Sequence, residues 1–253
     1  MYNPNIFFKR FYAGIIAGNG LIHKIKAAFG LVFISFISPV SLYLKKFNKN
    51  YKAHFISGSD VAMWVEVFFD EEYKLPDNFF PKKILDLGAN AGFSSLYFAL
   101  RDKGVSIISI EPDPNNFKLL QKNVASYSNI RTKQTAVASQ KGERKFFSLK
   151  KNGMGSSFIK RPSADIIKVS AISIDDLLRE LRWQEIDLVK FDIEGAEWEV
   201  FENAPLNQIK ALIGEYHEDL TGHSVEDFLK LFSAFKHNKK MIYPKRYIIY
   251  FFR

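Results

Sequence analysis

Cysteine is absent from this chain of 253 residues. That removes a disulfide framework, a thiolate metal site and a cysteine nucleophile, and fits a reducing compartment. Acidic residues are absent from positions 1–59, where eight basic ones stand: Lys9, Arg10, Lys24, Lys26, Lys45, Lys46, Lys49 and Lys52. The first acid is Asp60. The net charge of +9 therefore belongs to this arm, and the rest of the chain is nearly neutral. A nearly neutral main domain excludes a broad nucleic-acid face, so no nucleic-acid partner is expected. There is no internal repeat, no low-complexity tract and no small-residue cleavage pattern after the apolar run of the arm, so a cleaved signal peptide is not expected. What is present is apolar bulk: 47% hydrophobic residues, 25 of them Phe. Such a chain is long enough and apolar enough to bury one α/β domain with an extension.

Within the arm, residues 27–44 carry no charge and are flanked by Lys24 and Lys26 on one side and Lys45 and Lys46 on the other. Eighteen residues lie near the lower limit for a spanning helix. Gly30, Ser35, Ser38, Pro39 and Ser41 interrupt the run. Residues 1–59 are read as a helical extension that lies on an anionic membrane surface or caps the protein's own core, in preference to a span. Residues 60–253 form the main domain, with 60–80 as an amphipathic helix leading into it.

Strands and helices then alternate: strands at 83–87, 105–110 and 130–137, helices at 92–101 and 114–126. That alternation means a parallel sheet with helices on both faces. Residues 143–148 and 156–159 read as a hairpin turning through 150–155. A helix at 173–181 starts on Ser173. A strand at 186–193, a helix at 196–202, a strand at 211–216 and a helix at 225–235 follow. Residues 241–243 and 247–252 close the chain as an antiparallel hairpin.

The sharpest local signal is Asp86-Leu87-Gly88-Ala89-Asn90-Ala91-Gly92, an apolar strand running into a glycine-bearing turn and a helix. Gly88 and Gly92 are expected to let backbone approach a ligand at the end of the strand. A dinucleotide fingerprint needs glycine at 88, 90 and 93; the chain has Gly88, Asn90 and Phe93. Asn90 offers an amide suited to an amino-acid moiety, which points to S-adenosyl-L-methionine in place of a pyrophosphate. Glu111 and Pro112 end the next strand, where a carboxylate can accept hydrogen bonds from both ribose hydroxyls. Thr135, Ala136 and Val137 are expected beside the adenine.

Asp192, Glu194 and Glu197 emerge at the end of the strand that carries Lys190, with Asp86 as a candidate partner for that lysine. The next strand delivers Glu215 and His217 to the same edge, His217 as a candidate general base. Asp192, Glu215 and His217 also suit a divalent metal, though their spacing fits no compact motif. The other four histidines have no companion motif.

The segments 85–94, 109–113, 173–177 and 186–197 resemble the FkbM-type methyltransferases, most distinctively in Lys190-Phe191-Asp192-Ile193-Glu194-Gly195-Ala196-Glu197. The likeness covers roughly residues 60–220. It implies a Rossmann-like class I methyltransferase sheet, mostly parallel with a C-terminal antiparallel hairpin. It implies Gly88, Asn90 and Glu111 as cofactor contacts and Asp192 near the transferred methyl; with the residues read above, Asp86, Gly92, Pro112, Thr135 and Ala136 are also expected around the cofactor, and Glu194 and His217 beside Asp192 at the reacting end. The implied reaction is O-methylation of a sugar or lipid-linked glycan hydroxyl, in the cytoplasm or on the cytoplasmic membrane face. A nicotinamide-dependent oxidoreductase and a non-catalytic membrane-associated binding protein are the competing readings.

Overall fold

The computed structural model describes residues 4–18, 20–34, 38–148 and 164–253. Helices α1 (Pro4–Ala17) and α2 (Leu21–Val32) open the chain. They are followed by a β-hairpin, β1 (Val40–Lys46) and β2 (Lys49–Phe55). The uncharged run 27–44 is thus not one helical segment. The chain changes from helix to strand inside it, because Leu42 and Leu44 alternate with Ser41, Tyr43 and Lys45, a period of two. Phe47 and Asn48 close the hairpin at φ 50° and 58°, the doubly left-handed turn that matches strand twist. Leu42, Leu44, Tyr51, Ala53 and Phe55 point inward and join the hydrophobic cluster that also holds Leu96, Tyr97 and Leu120. No helix among the described residues is long and apolar enough to cross a membrane.

Helix α3 (Gly58–Trp64) starts on a capping box in which Ser57 and Asp60 satisfy each other's backbone N–H. It runs on as a π-helical turn, Val65–Phe69, and stops there, short of the helix expected over 60–80. The main sheet follows as β3 (Lys83–Leu87), α4 (Phe93–Arg101), β4 (Ser106–Ile110), α5 (Pro114–Val124) and β5 (Ile130–Lys133). Asp113 caps α5 and Pro114 occupies its first turn, where the missing N–H is not needed.

The expected strand over 130–137 divides. Among the described residues β5 has no further partner on its outer side, and β6 (Ala136–Val137) leaves to pair with β8 (Asp165–Ile172) in a second sheet, ordered β6-β8-β7. Strand β7 (Gly142–Ser148) lies where expected. Its partner is β8, which the sequence reading missed; the expected strand at 156–159 and its turn lie outside the described residues. The rest is α6 (Ile174–Leu181), β9 (Ile186–Phe191), α7 (Glu197–Glu202), β10 (Ile209–His217), α8 (Glu218–Thr221), α9 (Val225–Leu231), β11 (Lys236–Tyr243) and β12 (Arg246–Phe252).

The main sheet has the order β11-β12-β10-β9-β3-β4-β5. Strands β10, β9, β3, β4 and β5 run parallel, and β12 and β11 are added antiparallel. Its two faces hold separate cores: Ile84 and Leu188 face α4 and α5, while Leu85, Leu87, Val189 and Phe191 face α6, α7 and α9. The order reverses between β3 and β9, so a crevice opens past their carboxyl ends, which is where such sheets bind ligands.

Candidate active site

The turn after β3 is held from three sides. Gly88 N–H and Ala89 N–H both donate to the Ile110 carbonyl at 3.0 and 2.9 Å, and Asp192 N–H donates to Leu87 at 3.0 Å. Register places Asp86 beside Lys190. The Lys190 ammonium stands 3.3 Å from the Asp86 carboxylate and donates to the Gly88 carbonyl at 3.0 Å, so the buried pair clamps the turn from below. Ser94 and Ser95 donate to the other Asp86 oxygen. Asp86 thus lies beneath the crevice, fully buried, and does not line it.

Both glycines are closely packed by protein; Gly88 also lines the cleft, as expected of it, whereas Gly92 does not. Gly88 has φ 72°, and a Cβ on it would collide with the Asp192 carbonyl oxygen. Gly92 has φ 85° and caps α4; a Cβ there would run into Leu120 of α5. We expect Gly88→Ala to lower unfolding stability by at least ~3 kcal/mol, from left-handed strain and the overlap together. Urea denaturation measures this, and a loss below ~1 kcal/mol would show that the turn relaxes at little cost.

Above the turn is a cleft of about 560 Å³, lined by Gly88, Asn90, Glu111, Pro112, Ala136, Asp192 and Glu194 among others. Asn90, at φ 47°, donates its backbone N–H to Glu111 Oε2 at 2.9 Å. Asp113 N–H donates to Glu111 Oε1 at 2.8 Å. The carboxylate is 4% exposed and still borders the cleft. Burial pushes it up to about 7, against the pull of those two N–H donors. Ile110, Pro112, Ala136, Val137 and Phe146 supply an apolar wall. Thr135 does not line the cleft: its hydroxyl donates to the Ser170 carbonyl at 2.9 Å and ties β6 to β8. Asn116 and Phe146 were missed; each reaches the cleft from an element whose own pattern signals only helix or strand.

A second compartment of about 410 Å³ lies across Gly88, Asn90 and Asp192, which border both spaces. Its other walls include Met63, Glu66, Glu72, Tyr73, Lys190 and Glu215. Burial together with the Asp192 charge raises Glu66 to about 7 and Glu215 to about 8. Burial together with Glu66 and Asp192 raises Glu72 to about 8. Glu66 and Glu72 were missed because acids among apolar residues read as the wet face of a helix. The π-helical turn carries Glu66 inward.

His217 is 1% exposed and lines neither space. Its Nδ1 stands 2.8 Å from Glu197 Oε1, and both Glu197 oxygens accept from Gly195 N–H. Glu197, expected only to favour the start of a helix, therefore orients the imidazole. The Nε2 faces Glu215 at 3.3 Å, Glu194 at 3.7 Å and Asp192 at 3.9 Å. Burial lowers the imidazole pKa, but Glu197, Asp192 and Glu215 outweigh it and hold the ring charged, up to about 10. Its raised pKa and its separation from both compartments argue against the general-base role expected of it. A compact ligand set also exists: one atom each from Asp192, Glu194 and His217 lie within 4.8 Å of one another. Glu194 takes the place in it that the sequence reading gave to Glu215. The Asp192 Oδ1 atom is buried without a hydrogen-bond partner.

A parallel sheet that turns antiparallel only at its final hairpin, with a cleft over its central strand ends and a buried carboxylate at the second, is the architecture of class I methyltransferases that use S-adenosylmethionine. The chain belongs to the FkbM methyltransferase family: residues 86–240 match the Methyltransferase FkbM domain. Over 174 residues it is 28% identical to methyltransferase sdnD of Sordaria araneosa, covering 54% of this chain and 66% of that protein. Over 203 residues it is 24% identical to the AMB antimetabolite synthetase AmbE of Pseudomonas aeruginosa, covering 63% of this chain and 10% of that one. The chain thus spans just under two thirds of the first relative and a tenth of the second. The O-methyltransferase from Bacillus cereus in complex with SAH is 13% identical, with a TM-score of 0.42 over 68% of this chain and 74% of that one. The precorrin-6y C5,15-methyltransferase from Geobacter metallireducens is 11% identical, with a TM-score of 0.43 over 76% and 85%. At these scores the likeness carries no further argument.

Proposed function

We propose that the protein transfers a methyl group from S-adenosylmethionine to a hydroxyl of a glycan, glycolipid or related natural product. The observation that carries this reading is the second compartment, joined to the cofactor cleft at Asp192 and walled by Glu66, Glu72 and Glu215. Carboxyl groups accept hydrogen bonds from hydroxyls, and those raised toward neutral pH also donate, so the lining matches a polyol. S-adenosylmethionine supplies a methyl already activated on a sulfonium: the acceptor oxygen forms the new C–O bond as the C–S bond breaks. Glu111 and Asn90 hold the donor, and the Lys190–Asp86 clamp fixes the turn beneath it. Asp192 faces both spaces and takes the hydroxyl proton. His217 keeps its charge and balances the surrounding carboxylates.

A second reading is favoured by the compact set of Asp192, Glu194 and His217. Oxygen and imidazole atoms fit a divalent cation, and the carboxylates that hold the His217 proton would hold such an ion in its stead. A cation there would lower the pKa of a nearby hydroxyl. Titration with Mn²⁺ alone, followed by electron paramagnetic resonance, separates the two: a saturating site lost in His217→Ala supports the metal reading, and no site removes it.

The test of the proposal itself is mass spectrometry of glycans and lipids from cells with and without the gene. A product one methyl group heavier, with that methyl on oxygen, is expected only in cells that carry it. A methyl on nitrogen or carbon would overturn the hydroxyl assignment, and no difference in any glycan or lipid would overturn the acceptor class.

A further inference from the structure

Of the sixteen large apolar residues that stand exposed in the described parts of the chain, twelve lie before residue 59. They are not scattered. On α2, Leu21, Ile25 and Phe29 recur every four residues and are 76, 47 and 53% exposed; Phe33, at the end of the helix, continues the stripe. Ile22 widens it at 67%. Buried Ala27, Ala28 and Leu31 occupy the opposite side, where α2 meets the rest of the protein. The ring of Phe29 stacks on Phe33 at 5.7 Å and meets the edge of Phe11 on α1 at 6.5 Å, so the stripe is a continuous ridge. Isolated exposed apolar residues are ordinary, but a contiguous ridge marks a contact surface.

The charge beside the ridge says what it meets. Lys26 is exposed on α2, and Lys45 and Lys52 are exposed on the neighbouring β-hairpin. Lys52 lies over the ring of Tyr43, which is itself 54% exposed and contacts His23 of α2. Residues 1–59 contain eight basic residues and no acid. A second copy of the chain would set two such positive surfaces against each other. An anionic lipid surface complements both the apolar ridge and the lysines.

We propose that the α1–α2 pair and the adjoining hairpin dock the protein on an anionic bilayer, with the ridge at the headgroup boundary. The docking element is joined to the second compartment. Lys9 pairs with Asp70 and Tyr12 packs edge-on against Phe69 at 6.0 Å, at the end of the π-helical turn that supplies Glu66 and Val67 to that compartment. If the acceptor reading above holds, docking keeps the compartment close to the bilayer, which suits a lipid-linked acceptor; the docking itself does not depend on that reading.

Flotation of the full chain with vesicles tests the docking separately from any activity. Binding is expected to phosphatidylcholine vesicles containing phosphatidylglycerol, at least ten-fold weaker binding to phosphatidylcholine alone, and release as salt rises. Lys24→Gln with Lys26→Gln should weaken binding about 30-fold, at about five-fold per lysine. Ile25→Ser with Phe29→Ser should abolish it, while S-adenosylmethionine titration reports whether each variant is folded. If a variant fails to fold, the lipid and salt series on the unaltered protein still decides. Failure to float with either vesicle overturns the proposal. So does equal flotation of all the folded variants, or a ridge variant whose only effect is to convert a dimer to a monomer.

Discussion

Glu111→Ala is expected to weaken S-adenosylmethionine binding at least 100-fold while leaving a folded protein. Both Glu111 oxygens already accept from backbone N–H groups, one from Asn90 and one from Asp113. Oε2 retains a lone pair for a ribose hydroxyl, while the second on Oε1 is shared with the Asn116 amide at 3.5 Å; a hydrogen bond to a charged group is worth about 1.5–3 kcal/mol. Removing the side chain loses that acceptor. It also releases Asn90 N–H, which the carboxylate holds in the turn. The effect should depend on pH in the parent protein. The free carboxyl is pushed up to about 7, and only its ionised form accepts at both oxygens. Affinity should therefore rise as pH passes upward through 7 and level off above it, with binding about ten-fold weaker near pH 6 than on the plateau. Glu111→Gln should bind weakly and without that pH dependence. Calorimetric titration from pH 6 to 9 measures all three proteins. A Glu111→Ala protein that binds within three-fold of the parent would remove this carboxylate from the donor site.

The parallel strands were legible because each reports itself locally. Ile84, Leu85 and Leu87 can only be a buried strand, and Gly88, with the helix that follows, marks its end. The N-terminal hairpin was missed for the opposite reason: a run without charge looks the same as helix or strand until the inward alternation of Leu42 and Leu44 is counted. The strand Asp165–Ile172 was missed although Ile167, Val169 and Ala171 form an apolar face toward Phe146, because its first two residues are exposed and Lys168 and Ser170 stand between the apolar ones. Where β5 ends was not legible either. A sheet edge is fixed by which strand lacks a neighbour, and that is a property of the whole fold.

At the site, the motif residues were found and several of their tasks were not. Gly88 and Gly92 announce a tight turn, but the sequence does not say whether the space they free belongs to a ligand or to Asp192 and Leu120. Asp86 and Lys190 were identified as possible partners because buried opposite charges need each other. Their place beneath the turn follows from the register of β3 and β9. Glu197 and His217 are twenty residues apart, and their contact exists only because α7 begins and β10 ends at the same edge. The acids Glu66 and Glu72 carry no motif at all. Their raised values come first from burial and then from neighbouring charges, among them Asp192, more than a hundred residues away in sequence.

Asp192→Asn is expected to lower kcat by about 10²–10⁴ while S-adenosylmethionine affinity changes less than about three-fold. The side chain borders both compartments, and its Oδ1 atom has no hydrogen-bond partner and stands 3.9 Å from His217 Nε2. Asparagine keeps the shape and cannot take a proton. The part of Asp192 that packs on Gly88 is its main-chain carbonyl, which the substitution leaves in place. A loss in kcat without a loss of donor binding separates a role at the reacting atoms from a role in holding the turn. Both readings of the site expect this loss, so a chelator must accompany the measurement. If Asp192 accepts the proton directly, the parent enzyme keeps its rate in excess chelator. If the carboxylate holds a cation with Glu194 and His217, the parent loses its rate to the chelator, and added Mn²⁺ restores the parent but not the variant. Unchanged turnover in Asp192→Asn would exclude both roles for this residue. The proton would then pass to Glu215, the remaining carboxyl that both lines the second compartment and faces His217.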